Sequence, residues 1–250
     1  MAKLVILGSS NAIPGDNNET THLAVVEREK IILIDCSGSP VTHLPKAGIQ
    51  LSQITDIILT HFHPDHVSGI PMLLMTMWLK DRRQPLDIYG LDHTLDRMEA
   101  LMNFFDWSKW PNFFPVTFHR LSEEEMTLVV EDNEVRVLSS PVCHLIPTIG
   151  LRIEFLQSRK AIAYSCDTEP CPQVIRLADK VDILIHDVAG ATPGHSSSEQ
   201  AAEIANQAHA GSLYLIHYDT YSPDHHALIA KAQEVFAGKV ALTKDFMVLE

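Results

Sequence analysis

The sequence has no recognisable secretory leader, no apolar run of membrane length and no closely spaced pair of cysteines. Its first ten residues, MAKLVILGSS, hold too short an apolar run for a signal peptide and lack a small-residue cleavage pattern. The longest apolar stretch, IPMLLMTMWL at 70–79, falls well short of the roughly 18 residues that a membrane span needs. The four cysteines show no CxxC spacing, which favours reduced thiols. We therefore expect a cytoplasmic protein without a membrane partner.

Basic residues are also few. The chain has 19 Lys and Arg against 32 Asp and Glu, which gives a formal net charge of -13. Proteins that bind nucleic acid tightly usually neutralise several phosphates with clustered basic groups. The charge balance therefore favours a small substrate over a nucleic acid.

Low-complexity tracts, charge blocks and fixed-period repeats are absent from the 250 residues as well. Segments typical of strands, such as KLVILG and VDILIHD, occur in each half of the chain, and helical segments such as SSSEQAAEIANQAHA follow them. HLAVVE and KIILIDC predict a hairpin that turns at Arg28 and Glu29. No Pro/Gly-rich linker divides the chain. We expect one domain, residues 1–250, in which two sheets pack face to face with helices outside.

The stretch ILTHFHPDHVSG is dense in metal-type ligands: it contains His61, His63, Asp65 and His66 within six positions. A strand that ends near His61 and a helix that begins at the following proline force a tight turn, and proline suits the first turn of a helix. In the extended part, residues two apart point the same way, so His61 and His63 can share one ion. Past the turn, Asp65 and His66 are displaced towards a second ion. Two metals about 3.5–4 Å apart form a clamp for ester hydrolysis, and these ligands suit zinc, with manganese or iron as alternatives.

THFHPDH resembles the HxHxDH signature of the metallo-β-lactamase superfamily, and further stretches resemble its ribonuclease Z-like branch. GSSNAIPG is similar to the N-terminal Gly-Ser/Thr-Gly…Pro loop of that branch, and LIDCSGS to its strand-ending Asp-Cys-Gly. CHLIPTIGLRI is similar to the segment that holds its third metal histidine, YSCDTEPC to its Ser-Gly-Asp-Thr-x-Pro-Cys stretch, and LYLIHYD to its Leu-x-Leu-Thr-His-Phe-Ser strand. The resemblance covers nearly the whole chain. It implies an α/β (α+β) fold, a four-layer αββα sandwich of the metallo-β-lactamase type.

The same resemblance implies two divalent metal ions per chain, expected to be zinc. A metal-bridging hydroxide would attack the substrate, and Asp65 would orient it and accept its proton. His195, in PGHSSSEQ, would assist the departure of the leaving oxygen. Carried over residue by residue, the metal ligands are His61, His63 and His144 for the first ion, Asp65, His66 and His217 for the second, and Asp167 as the bridge between them.

Three stretches depart from the pattern of this branch. The segment after His144 runs directly into PTIGLRIEF, near the point where tRNA 3′-processing enzymes carry a long arm that grips tRNA. HDVAG at 186–190 replaces His-Glu-Ala-Thr, so Asp187 stands where glutamate would orient a neighbouring histidine. HYD replaces His-Phe-Ser and brings Asp219 near the metals, as an acceptor or as a solvated carboxylate. The missing arm and the net charge disfavour tRNA as a substrate and favour a smaller phosphodiester.

Phosphodiester hydrolysis by a dinuclear metal-dependent enzyme is the function that these observations favour. Aryl sulfatase-like members share much of the framework, so hydrolysis of a sulfate ester or another ester on the same metals stays open. A non-catalytic metal-binding sensor is a third hypothesis, because the HDVAG element is altered. The complete ligand set argues against the sensor.

FFDWSKWPNFF at 104–114 has six aromatic residues in eleven positions. Such a group could form a lid or pocket wall for a planar leaving group. It could instead pack in the core or at a dimer interface. The ribonuclease Z-like branch is commonly dimeric, so the resemblance implies a homodimer.

Overall fold

Two β-sheets of seven strands each form the centre of the molecule. The computed structural model describes residues 2–28, 30–222 and 224–250, so the predicted turn at Arg28 and Glu29 lies partly outside the described residues. The strands of the described part, in chain order, are β1 (Lys3–Gly8), β2 (His22–Val26), β3 (Ile31–Ile34), β4 (Ile54–Ile58), β5 (Leu86–Leu91), β6 (Val116–Leu121), β7 (Thr127–Glu131), β8 (Val135–Val142), β9 (Thr148–Phe155), β10 (Lys160–Tyr164), β11 (Ile183–Asp187), β12 (Ser212–Ile216), β13 (Lys239–Leu242) and β14 (Val248–Leu249).

The strand order places the carboxyl ends of the parallel strands together. The first sheet runs β14-β1-β2-β3-β4-β5-β6, and the second runs β13-β12-β11-β10-β9-β8-β7. β2 and β3 pair antiparallel, with Leu23 opposite Ile34, as predicted for the hairpin. Strands β3 to β6 are parallel to one another, and so are strands β10 to β13. The loops that leave these parallel strands therefore collect at one edge of each sheet.

Helices cover the outer face of each sheet, and none in the described residues is long and apolar enough to cross a membrane. The helix predicted after His63 is interrupted near Gly69, whose N–H donates to the Cys36 carbonyl at 2.9 Å. A Cβ on Gly69 would lie 2.8 Å from the Ser37 carbonyl oxygen, so only glycine permits this approach. The α-helices are α1 (Pro40–His43), α2 (Pro64–Val67), α3 (Ile70–Leu79), α4 (Asp92–Phe104), α5 (Pro172–Leu177), α6 (Ser198–Gln207) and α7 (His225–Val235).

Alternate side chains of β3 enter two different apolar layers. Ile32 and Ile34 pack between the two sheets, together with Ile153 of β9. Ile31 and Leu33 point the other way and pack against the helices of the first sheet. A third apolar cluster lies between the second sheet and α5, α6 and α7. These layers confirm the predicted four-layer αββα sandwich.

Candidate metal centre

Three histidine nitrogens converge after β4 and β8. His63 is the residue before α2 and has an extended backbone (φ -98°, ψ 150°), so the chain turns into the helix only at Pro64. Nδ1 of His63 lies 3.1 Å from Nε2 of His61 and 3.1 Å from Nε2 of His144. His144 comes from the loop between β8 and β9. The three predicted ligands of the first ion thus form one compact group.

A second group lies beside the first. Nε2 of His217 lies 3.4 Å from Oδ2 of Asp65 and 3.4 Å from Oδ2 of Asp167. Nε2 of His66 lies 3.5 Å and 3.4 Å from the same two oxygens. Asp167 follows β10 and His217 follows β12. The structure therefore brings all four of these predicted residues together from α2 and two separate loops.

Asp167 stands between the two groups. Its Oδ2 lies 3.9 Å from Nε2 of His61 in the first group and 3.4 Å from the nearest nitrogens of the second. Within the described part of the chain, Asp167 Oδ1 and His66 Nε2 are buried without a hydrogen-bond partner. Buried polar atoms normally have one. Imidazole and carboxylate atoms left in this way fit zinc, manganese or iron as their missing partner.

The titratable groups of the centre have strongly shifted pKa values. Burial lowers the pKa of His61 well below its ordinary value, which favours the neutral imidazole that binds metal. Burial opposes the charge of Asp167, but His217 and His66 hold its pKa well below the usual range. Burial likewise opposes protonation of His217, yet Asp167 and Asp187 raise its pKa to about 10. Metal binding by His217 would therefore have to displace a proton from its imidazole.

Hydrogen bonds outside these groups fix the orientation of the histidines. Nδ1 of His66 lies 2.8 Å from Oδ2 of Asp35, and the same carboxylate accepts hydrogen bonds from the N–H (2.8 Å) and the hydroxyl (2.7 Å) of Thr60. Nδ1 of His144 lies 2.7 Å from the Gly194 carbonyl oxygen. With Nδ1 engaged, Nε2 is the nitrogen that faces the centre. The sequence pattern does not assign this contact to Asp35, and the signal that could identify it is its position in the strand-ending stretch LIDCSGS.

His195 joins the centre through Asp187. Nδ1 of His195 lies 2.9 Å from Oδ2 of Asp187, and Nδ1 of His217 lies 3.3 Å from Oδ1 of the same carboxylate. The ring of His195 stacks on that of His217 with the centroids 5.4 Å apart. Burial opposes protonation of His195, but the carboxylates of Asp187 and Asp167 together raise its pKa, which favours the imidazolium form. The aspartate of HDVAG thus reaches His195, which lies eight residues further along the chain.

Two other predicted features lie apart from the centre. Asp219 is exposed, and its Oδ1 accepts a hydrogen bond from the Tyr221 N–H at 2.9 Å, so it is the solvated carboxylate of the two alternatives. The aromatic stretch at 104–114 follows α4, which leaves the carboxyl end of β5 and runs about 20 Å towards the opposite edge. There Trp110 stacks on Trp78 with the centroids 4.9 Å apart. The lid interpretation is therefore wrong, because the helix carries this stretch away from the metal ligands.

The two face-to-face sheets, their outer helices and the HxHxDH cluster at the strand ends define a metallo-β-lactamase-type fold. The family model described as "Beta-lactamase superfamily domain" matches residues 30–218, which include all seven predicted metal ligands. The chain belongs to this superfamily. This membership and the His/Asp clusters of the chain support a metal-dependent hydrolase.

Individual relatives agree with this assignment. The chain is 28% identical to "Ribonuclease Z" of Methanothermobacter thermautotrophicus, with 94% of this chain and 92% of the relative covered. Its fold is similar to that of the metallo-beta-lactamase fold protein YhfI from Bacillus subtilis (TM-score 0.85, 21% identity, 99% and 98% covered). It is also similar to that of human tRNase Z, short form (TM-score 0.79, 24% identity, 100% and 99% covered). The predicted resemblance to the ribonuclease Z-like branch is confirmed.

Proposed function

We propose that this protein is a dinuclear metal-dependent phosphodiesterase. The observation that carries the proposal is the position of Asp167, whose Oδ2 lies within 3.9 Å of His61 and 3.4 Å of His66 and His217. A carboxylate oxygen between two histidine groups is suited to bridge two ions. A two-ion centre is a common means of cleaving phosphate esters.

The residues that would hold the ions are the seven of the two groups. His61, His63 and His144 would hold the first ion, and Asp65, His66 and His217 the second. Zinc suits these donors best, with manganese and iron as alternatives. When bound, such ions activate a water molecule as the nucleophile and neutralise charge on the phosphoryl oxygens.

The side chains then have separate tasks. Asp65 orients the nucleophile and accepts its proton, since its Oδ2 lies at the centre, 3.4 Å from Nε2 of His217. His195 assists the leaving oxygen: with Nδ1 engaged by Asp187, its Nε2 is the nitrogen left to donate a proton. Asp187 positions both His195 and His217, so that one carboxylate orients the proposed proton donor and a proposed ligand of the second ion.

A small phosphodiester suits this centre better than tRNA. Only residues 143–147 separate β8 from β9, so the arm expected near this point in tRNA-processing enzymes has no counterpart there. The net charge of -13 opposes binding of a polyanion. The similarity to human tRNase Z, short form, makes tRNA the competing substrate. Hydrolysis of a sulfate ester on the same metals and a non-catalytic metal sensor are the remaining alternatives.

Metal analysis combined with a p-nitrophenyl ester panel tests the proposal. We expect about two metal ions per chain and faster hydrolysis of the phosphodiester than of the phosphomonoester or the sulfate ester. Asp167→Ala should lose both bound metal and activity, while Asp179→Ala, an exposed carboxylate beyond α5, should change neither. Preference for the sulfate ester would show that the protein is a sulfatase and not a phosphodiesterase. A metal-loaded protein inactive on the whole panel would favour the sensor, and full metal content with full activity in Asp167→Ala would rule out the dinuclear centre.

A further inference from the structure

The edge of the molecule that carries the candidate centre is built from loop segments that contain no lysine or arginine. These segments follow β1, β3, β4, β8, β10, β11 and β12, and together they contain eight Asp and Glu residues. Positive charge within these segments therefore comes from histidines and from any bound metal. The segments are residues 9–21, 35–39, 59–69, 143–147, 165–171, 188–198 and 217–226.

Two exposed acidic side chains lie in the loops of this edge. Glu169 lies two residues after Asp167, and its Oε1 accepts a hydrogen bond from the Gly194 N–H at 2.8 Å. Asp16 is exposed in the loop after β1. That loop contacts the segment after His217, because the Tyr221 hydroxyl donates a hydrogen bond to the Pro14 carbonyl oxygen at 3.3 Å. Both acidic groups thus belong to loops that supply or contact predicted ligands.

Basic side chains of the adjoining loops are offset by acidic ones. Arg120, near the end of β6, contacts Asp92 at 2.9 Å and Asp96 at 2.7 Å. Lys244, after β13, is followed directly by Asp245. These two loops therefore add little net positive charge to the edge.

The same edge exposes apolar side chains. Leu145, next to the predicted ligand His144, is 63% exposed, and Tyr221, in the loop after His217, is 62% exposed. Ile13, in the loop that Tyr221 contacts, is 59% exposed. An uncharged substrate group can rest on such side chains, whereas a phosphate group cannot.

We propose that the substrate is a phosphodiester with a single negative charge, whose two ester groups are uncharged or cationic. This inference rests on the proposed phosphodiesterase function and narrows its substrate class. Asp65 and Asp167 already offset part of the charge of two divalent ions, so the centre is suited to a monoanion. A second phosphate, as in a nucleic acid, would be repelled by the exposed carboxylates of this edge, which include Asp16 and Glu169.

Three p-nitrophenyl diesters that share one scissile bond test this selection. The first has a thymidine 5′-phosphoryl group, the second is the same compound with an additional 3′-phosphate, and the third has a phosphorylcholine group. We expect the metal-loaded protein to cleave the first and third with kcat/KM at least about tenfold above the second at low salt. The difference should shrink as salt is raised, because salt screens exposed charges.

Matched charge-reversal variants make the test specific to this edge. Asp16→Lys should raise kcat/KM for the 3′-phosphorylated diester and tighten binding of a fluorescein-labelled oligothymidylate, measured by fluorescence anisotropy. Asp179→Lys makes the same charge change at the opposite edge and should do neither. Equal kcat/KM for the three diesters, or preference for the 3′-phosphorylated one, would overturn the charge selection but leave the phosphodiesterase intact. Hydrolysis of none of them would overturn the phosphodiesterase itself.

Discussion

Asp187 contacts His195 at 2.9 Å through Oδ2, while its other oxygen lies 3.3 Å from Nδ1 of His217. One buried carboxylate thus orients the proposed proton donor and a proposed metal ligand. Carboxylates in such positions fix both the tautomer and the ring orientation of the histidines that they contact.

Asp187→Asn should therefore lower kcat by about 10–100-fold and weaken metal binding. His195→Ala should lower kcat as well, but should leave the metal content unchanged, because His195 belongs to neither ligand group. The fold-decrease in kcat of the double variant should be smaller than the product of the two single fold-decreases, since the two residues act as a unit. Steady-state kinetics and metal analysis on the three variants distinguish these outcomes. Full activity in Asp187→Asn would show that His195 acts without this contact.

Asp35 should contribute strongly to the stability of the folded state. It is fully buried, has φ 59°, and accepts the two Thr60 hydrogen bonds in addition to its contact with His66. Asp35→Ala leaves these groups without a partner, so we expect the free energy of unfolding to fall by about 3–5 kcal/mol. Asparagine has nearly the same shape as aspartate and tolerates the left-handed backbone conformation, so Asp35→Asn should lower the free energy of unfolding by less. Urea unfolding of the metal-free proteins measures both, and equal stability of Asp35→Ala and wild type would contradict the expectation.

Glu27 should make stability depend on pH far from the metal centre. Burial and the nearby carboxylate of Asp132 raise its pKa to about 7, against a partial offset by Lys30. The folded state therefore keeps a proton that the unfolded state has lost, and the free energy of unfolding falls as the pH rises towards 7. Glu27→Gln removes this pH-dependent fall in the free energy of unfolding. The variant should be more stable than wild type at about pH 8, with a smaller difference at about pH 5.

Urea unfolding at the two pH values checks the Glu27 prediction, with Glu123→Gln in the exposed loop after β6 as the matched control. The control should follow wild type at both values. A Glu27→Gln protein whose advantage does not grow with pH would show that this carboxyl does not titrate as expected.

The outer end of α4 should mediate self-association. Phe104 is 87% exposed and Phe105 is 50% exposed, next to the packed part of the aromatic stretch. Burying such side chains against a second copy would remove apolar surface from water. We expect wild type to sediment as a homodimer and the Phe104→Ser, Phe105→Ser double variant to shift towards monomer. Leu145→Ser also replaces an exposed apolar side chain, but at the edge of the metal centre, and it should leave the sedimentation unchanged. A wild-type protein that sediments as a monomer would disprove the dimer.

The local part of the candidate site could be read from the chain because it depends on short-range geometry. His61, His63, Asp65 and His66 lie around one turn, where the alternation of an extended segment and the start of a helix set their directions. The continuous apolar run of β3 likewise favours a strand that is buried on both faces. The break near Gly69 was not predicted, because it depends on the backbone of a distant loop at Cys36.

The sequence by itself determined the donor types, the HxHxDH turn and the layered α/β fold, since each follows from residue chemistry and local backbone preference. Family resemblance, and no local geometry, predicted Asp167 as the bridge, while only the tertiary structure decided how near its carboxylate lies to each histidine group and that Asp187 reaches both His195 and His217. These relationships depend on the register and packing of strands from both sheets, which no local pattern encodes. The same packing carried the aromatic stretch at 104–114 to the opposite edge, although its composition alone was compatible with a lid.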